Sequence, residues 1–375
     1  MFRLFSKELA EMKNEKEIIE QRKDDHLEIC CNNKYDIEMS KTNGFEDIQF
    51  VPRAVPEINF EDINLECDFL EHHFQFPIFL SSMTGGVREG KKMNEKIAKV
   101  AEELQIGMGV GSQRAAILDP TLRDTFSIVR DVAPTAFIAA NIGAVQLNYN
   151  FSFKQVLKAI EMIKADALIL HFNALQEIVQ PEGDKNFANL LGKISKLNKE
   201  LDCPIIAKEV GCGMSFEDGS ALVDAGVKVI DIAGAGGTSW SKIEAIRAKQ
   251  QLAISNQEIG ELFGDWGLST AVSTLEISEL SDKVGIISSG GIRNGLEAAK
   301  ALALNANLVG TALPIARILK DGTETQLLES INRLIQEIKT AMFLVGAKNL
   351  EELRSVPLVI VGKTSQWLSA RGFEY

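Results

Sequence analysis

The stretch LHFNALQEIVQPEGD gathers His171, Asn173, Gln176, Glu177 and Asp184 within a few turns of chain. His171 and Asn173 lie two positions apart, so on an extended strand both point the same way and can face one ligand. Glu177 offers a hard oxygen, and a single carboxylate holds magnesium when phosphate and water complete the shell. The plainer reading leaves Glu177 and Asp184 as exposed loop carboxylates. Lys208 stands inside the apolar run IIAKEVG, where an ammonium must be ion-paired or put to use. Use would mean a Schiff-base amine, a proton carrier, or a cation set against the pyrimidine edge of a flavin. Near the N-terminus, RKDDH places Arg22 and His26 four apart with Lys23 beside them. On a helix these share a face, while Asp24 and Asp25 turn elsewhere. With Arg114 of GSQRA they form either a solvated charged surface or a clamp on an anion, arginine supplying paired donors to phosphate. AGAGGTSW and SSGGIR contribute Thr238, Ser239, Gly290, Gly291 and Arg293, followed by Gly310, Thr311 and Ala312. Either glycine cluster alone is a tight turn. Together they suit backbone amides gathered around the phosphate of a cofactor.

Such residues act together only if a scaffold brings them to one place. Short apolar runs predict strands at 78–82, 106–111, 136–141, 167–173, 205–210, 229–233, 285–289 and 308–311. Several (IIAKEV, VIDIA, VGIISS) are apolar on both parities, as parallel strands covered on both faces require. Amphipathic segments at 91–104, 153–163, 189–200, 216–225 and 296–304 lie between them. Strand then helix, repeated at roughly 25–35 residues, predicts an α/β fold of the (β/α)8 TIM-barrel type. Every group named above except RKDDH then falls at or just after the C-terminal end of a strand, at the face where barrel sites are built. About fifty residues separate the sixth and seventh strands, which predicts a long insertion carrying extra helices. The whole chain reads as one domain: an N-terminal extension and cap over 1–75, the barrel over 76–345, and a C-terminal tail over 346–375. Within the extension, residues 43–69 predict a capping hairpin. After the barrel, apolar residues at helical spacing over 325–345 predict a long helix, and Asn349 with Glu352 marks the start of another.

The 40 basic and 52 acidic side chains leave a formal charge of −12. No bulk positive field exists to coat nucleic acid, although a local cluster could still hold a small phosphorylated ligand. Hydrophobic residues at 45% and charged residues at 25% are ordinary for a globular protein. Five cysteines without C-x-x-C spacing argue against a zinc site or a disulfide framework. No apolar run is long enough for a membrane span and no signal peptide is visible, so the expected location is cytoplasmic.

In this order, RKDDHL, SSMTGG, GVGSQRA, NIGAVQLNY, LHFNALQEIVQPEGD, KEVGCGMS, AGAGGTSW, DWG and SGGIRNG resemble the type 2 isopentenyl-diphosphate Δ-isomerase family over roughly residues 20–315. LHFNALQEIVQPEGD and RKDDH carry most of the specificity, because other FMN-dependent barrels share the glycine turns. Phe172 and Ala174 depart from the leucine and proline expected there. The resemblance implies an enzyme that interconverts isopentenyl and dimethylallyl diphosphate with reduced FMN, magnesium and NADPH as flavin reductant. It implies catalytic roles for His171, Gln176 and Lys208. It implies FMN contacts at Ser82, Met83, Thr84, Ser112, Asn141, Lys208, Thr238, Ser239, Gly290, Gly291, Arg293, Thr311 and Ala312. Substrate would meet Arg22, Lys23, His26, Ser112, Gln113, Arg114, Asn173 and Gln176, and Glu177 would bind the metal. A homotetramer or higher homo-oligomer is also implied. Two rivals remain open: a barrel oxidoreductase of the inosine-monophosphate-dehydrogenase or α-hydroxy-acid-oxidising kind, and a binding module without turnover. The former would place a cysteine after the sixth strand, and AGAGGTSW has none.

Overall fold

The computed structural model describes residues 21–149 and 151–374, so the predicted extension is seen only from residue 21 onward. In chain order the strands are β1 (Ile48–Phe50), β2 (Cys67–Phe69), β3 (His72–Phe74), β4 (Ile78–Leu80), β5 (Gly107–Gly109), β6 (Ile138–Gly143), β7 (Ala167–Phe172), β8 (Ile205–Glu209), β9 (Val229–Asp231), β10 (Gly285–Ser289), β11 (Leu308–Thr311) and β12 (Leu358–Ile360). Strands β4 to β11 close into a barrel in sequential order, and every pairing around it is parallel. The eight predicted strands are these eight, and helices follow them as the amphipathic segments require.

Period two along the strands divides the barrel interior into layers. Phe79, Ala139, Ile169, Ile206, Val229, Ile287 and Leu308 form one buried apolar cluster inside the strands. Two residues further along the same parity stand Ser81, Asn141, His171, Lys208, Asp231, Ser289 and Gly310. Six of the eight strands are therefore apolar at the foot and carry a polar side chain at the tip on this face. That change of chemistry along one face is what turns a packed core into a site.

The hairpin predicted over residues 43–69 lies elsewhere. β1 pairs instead with the C-terminal β12, and the hairpin is β2 with β3. Its two-residue turn, Leu70–Glu71, has φ of 50° and 64°, so it lacks the Asn-Gly signal that normally marks such a turn. Phe69 and Phe74 from this hairpin pack with Phe79 and Phe137 and plug the foot of the barrel. The insertion between β9 and β10 holds helices Trp240–Gln250, Ile254–Leu262 and Thr270–Ser278. Helix Glu324–Val345 follows the barrel and packs on helix Gly295–Ala303. Asn349 caps helix Leu350–Arg354 through the amide of Glu352, as its spacing predicted. Among the described residues no helix is long and apolar enough to cross a membrane.

Candidate active site

A cavity of about 260 Å3 opens at the C-terminal tips of the barrel strands. The helix covering residues 21–31 lies across its mouth, so Arg22, Lys23 and His26 face the strand tips of their own barrel. At the cavity floor the register pairs His171 with Lys208 and Lys208 with Asp231. Lys208 Nζ lies 2.9 Å from Asp231 Oδ2, and Asp231 is fully buried. Ser289 donates to the other oxygen of Asp231. Lys208 is thus ion-paired and also lines the cavity. His171 Nδ1 lies 2.7 Å from Asn141 Oδ1; with the amide oxygen turned to it, that nitrogen carries the proton. Burial, and after it the charge of Lys208, lowers the imidazole to a pKa of about 4, which keeps His171 neutral at pH 7.

One wall is a continuous polar network. Asn173 donates to Glu177 Oε1 at 3.0 Å and to Gln176 Oε1 at 3.2 Å, and the Asp184 amide donates to Glu177 Oε2 at 2.7 Å. Arg114 and Gln146 both donate to Asp184 Oδ2, at 2.7 and 2.9 Å. Gln176 donates to Glu244 Oε1 at 2.9 Å, and His26 Nε2 lies 2.8 Å from the same oxygen. Glu177 belongs to helix Ala174–Val179 and is buried, not an exposed loop carboxylate, because Asn173 and the 180–184 turn fold around it. Burial pushes its pKa up, against the hydrogen bonds from the Asp184 amide and Asn173. Burial also works against ionisation of Glu244, but His26 and Arg247 outweigh it and hold the carboxyl at about 2. Lys23 donates to the carbonyls of Gly85 and Ser112. Burial, and then the charge of Arg22, lowers its pKa to about 7.

The opposite wall is built of backbone. Gly290 and Gly291 have φ of +106° and +70°, and a Cβ on Gly291 would stand 2.3 Å from Gly236 O. Only glycine lets these two turns touch. Helix Leu313–Asp321 begins beside them, with Thr311, Ala312 and Leu313 at the cavity. Its first amides have no partners within the helix, and its dipole favours an anion there. Asn43 donates to Gly291 O at 2.9 Å and Met39 N to Gly237 O at 2.8 Å, so a strap after the 21–31 helix fixes both turns. Arg293 faces the cavity while donating to Glu38 at 2.6 Å.

Most residues singled out in the sequence meet here: Arg22, Lys23, His26, Ser82, Met83, Thr84, Ser112, Arg114, Asn141, His171, Asn173, Gln176, Glu177, Lys208, Thr238, Gly290, Gly291, Arg293, Thr311 and Ala312. Two side chains turn away. Gln113 is fully buried and donates to Ala159 O while accepting from Asn141 N, which makes it scaffold. Ser239 accepts from Lys242 N as the cap of helix Trp240–Gln250. Asp25 also departs from expectation: it points inward, 3.4 Å from the buried Arg247. Sequence reasoning missed Gln146, Gln180, Asp231, Trp240, Glu244 and Arg247. Glu244 and Arg247 left one faint signal, an oppositely charged pair at i,i+3 in a helix otherwise rich in Ile and Ala.

Ser81 Oγ, Ser82 Oγ, Gln146 Oε1 and Asn173 Oδ1 are buried at the cavity without a hydrogen-bond partner in the protein. Buried polar atoms are normally paired. Polar orphans lining a roomy cavity fit a ligand rich in donors and acceptors, as the ring and ribityl chain of a flavin mononucleotide are. For a metal, the described residues hold no group of three or more His, Cys, Asp or Glu in ligating arrangement. Glu177 therefore fits only the single-carboxylate mode, with phosphate and water completing the shell.

A family model described as FMN-dependent dehydrogenase matches residues 146–359. Solved structures of a mandelate oxidase variant and a flavocytochrome b2 variant superpose with TM-scores of 0.60 and 0.63. The first covers 89% of this chain and 95% of its own at 15% identity, the second 94% and 88% at 17%, which shows a shared fold. Among curated relatives, the isopentenyl-diphosphate delta-isomerase of Pyrococcus furiosus is 46% identical over 93% of this chain and 89% of its own length. That of Methanothermobacter thermautotrophicus is 43% identical over 95% and 98%. The chain belongs to the isopentenyl-diphosphate delta-isomerase family, in the form built on the barrel of the FMN-dependent dehydrogenases.

Proposed function

We propose that this protein interconverts isopentenyl and dimethylallyl diphosphate, using FMN held in the barrel mouth and magnesium at Glu177. The observation that carries this reading is the meeting of two anion sites on one cavity. The glycine turns and the start of helix Leu313–Asp321 form one, and Arg22, Lys23, His26 and Arg114 form the other. Between them lie Lys208, His171 and unpaired polar atoms. A cofactor phosphate and a substrate diphosphate would occupy opposite walls, with the reacting groups over the strand tips.

Gly290, Gly291, Arg293, Thr311 and Ala312 would hold the FMN phosphate. Ser82, Met83, Thr84, Ser112, Asn141, Lys208 and Thr238 would contact the rest. Gln113 and Ser239 are left out, because their side chains are spent on the scaffold. Reduced FMN, when bound, supplies a proton source and an electron-rich face for an isolated alkene. The protein's own work is to orient, to exclude water and to set charge. Lys208, paired with Asp231, offers a fixed ammonium at the cavity floor. Neutral His171 orients Asn141. Protonating an alkene places cationic character on a tertiary carbon, which water would quench. The 21–31 helix and Trp240, edge-on to His26 at 5.0 Å, cover the mouth. Gln176, held by Glu244 and Asn173, stands where it would position the substrate or relay the second proton. The diphosphate clamp converts remote binding energy into orientation of the reacting end.

NADPH as reductant, a homotetramer or larger assembly and a cytoplasmic location complete the reading and rest on family membership. The test is direct. Protein with FMN and magnesium is reduced anaerobically and given isopentenyl diphosphate; dimethylallyl diphosphate should appear. An oxidised product, or none, would overturn the proposal.

A further inference from the structure

Arg247 is 2% exposed, yet no step of the reaction above uses it. Its guanidinium meets three carboxylates on three different elements. Nη1 donates to Glu244 Oε2 at 2.6 Å, Nη2 to Glu182 Oε1 at 3.0 Å, and Nε to Asp25 Oδ2 at 3.4 Å. Asp25 lies on the 21–31 helix that carries Arg22, Lys23 and His26. Glu182 lies in the turn that closes over Glu177 through the Asp184 amide. Glu244 holds His26 and Gln176 with its other oxygen. We propose that Arg247 is the positioning residue of the diphosphate site: one buried guanidinium locks the basic helix, the Glu177 turn and the Gln176 wall into a single closed arrangement. The inference rests on the proposed function in naming diphosphate as the ligand.

The geometry needs arginine. Five donors in a planar fork satisfy three acceptors in three directions, whereas a lysine ammonium is a single point charge. Glu244 is fully buried and remains ionised beside Arg247 and His26. Without Arg247, that carboxylate loses a guanidinium 2.6 Å away, and the basic helix loses its Asp25 tie to the hub. The carboxylates of Glu244 and Glu182 also offset the charge of Arg22, which stands with Lys23 and His26 on one face of the same helix. The hub thus favours the closed form before any anion arrives, which lowers the ordering cost of binding.

The experiment uses the FMN-loaded protein and three variants: Arg247→Lys, Arg247→Met and Asp25→Asn. KM for isopentenyl diphosphate should rise about tenfold in Arg247→Met, less in Arg247→Lys, and about threefold in Asp25→Asn. Turnover at saturation should fall by less than KM rises, because Gln176 keeps its contact to Asn173, and FMN affinity should not change, because the hub does not touch the glycine turns. Inorganic diphosphate with magnesium should protect the bonds after Arg22 and Lys23 from trypsin, and the Arg247 variants should need about tenfold more of it. Should the Arg247 variants fail to fold, Asp25→Asn decides the matter on the same readouts. Unchanged KM and protection, or a fall in turnover with KM unchanged, overturns the positioning role. A parent protein that diphosphate protects but that isomerises nothing contradicts the proposed function alone, and the protection data then judge the hub.

Discussion

Removing Lys208 should destabilise the protein through the partner it abandons. In Lys208→Met the apolar stem is kept, but Asp231 is left fully buried with Ser289 as its remaining contact. Breaking a buried ion pair from one side costs about 3–5 kcal/mol, most of it the stranded charge. An unfolding entropy of about 2.1 cal/mol/K per residue gives about 0.8 kcal/mol/K for a chain of this length, so the melting temperature should fall by about 4–6 °C. Asp231→Asn strands the ammonium instead and should cost a similar amount. The double variant removes both charges and should recover a coupling of about 2 kcal/mol or more. Thermal melts of the four cofactor-free proteins at one pH measure this cycle. FMN titration of the same set separates the cofactor role, since every protein without Lys208 should bind FMN weakly whatever its stability. A double variant that melts at the sum of the two single losses would refute the pairing argument.

Three further outcomes follow from the site. Glu177→Gln should raise the magnesium concentration needed for half-maximal turnover by about tenfold, the loss of one charged ligand; an unchanged requirement would place the metal elsewhere. Lys23 titrates at about 7 in the free protein, and its charged form, present below that pH, is the one that attracts diphosphate. KM should therefore rise as pH goes from 7 to 9, and Lys23→Arg should flatten the rise; a flat profile in the parent removes Lys23 from the clamp. Gly291→Ala puts a methyl 2.3 Å from Gly236 O at φ +70°, so the turn must open and FMN affinity should fall at least about tenfold by fluorescence titration. Normal affinity would mean that this turn does not hold the phosphate.

The sequence revealed the barrel because each strand is short, apolar on both parities and punctuated by polar tips, a pattern local enough to be read by eye. The same tips exposed the site, since His171, Asn173 and Lys208 interrupt runs that otherwise belong to a core. What stayed hidden was set by contacts across long separations. Asp25, Glu182, Glu244 and Arg247 resemble ordinary surface charges until the 21–31 helix folds over the insertion, which buries Glu244 and Arg247 and half-buries Asp25 and Glu182 against them. Asp231 sits in an apolar run like Lys208, but only barrel register shows that the two face each other. Gln113 and Ser239 adjoin cavity residues in sequence, and one step along a turn or a helix start points each side chain back into the scaffold. The foot-plugging hairpin escaped notice because Leu70 and Glu71 take left-handed conformations that their types do not advertise.

The central claim is isomerisation by proton addition and removal without net redox change. The most direct measurement is anaerobic turnover in deuterium oxide with magnesium and FMN reduced once at the start. Many equivalents of dimethylallyl diphosphate per flavin, carrying solvent deuterium, with the flavin still reduced at the end, are the predicted result. Flavin oxidised in step with product, or product free of solvent deuterium, would contradict it.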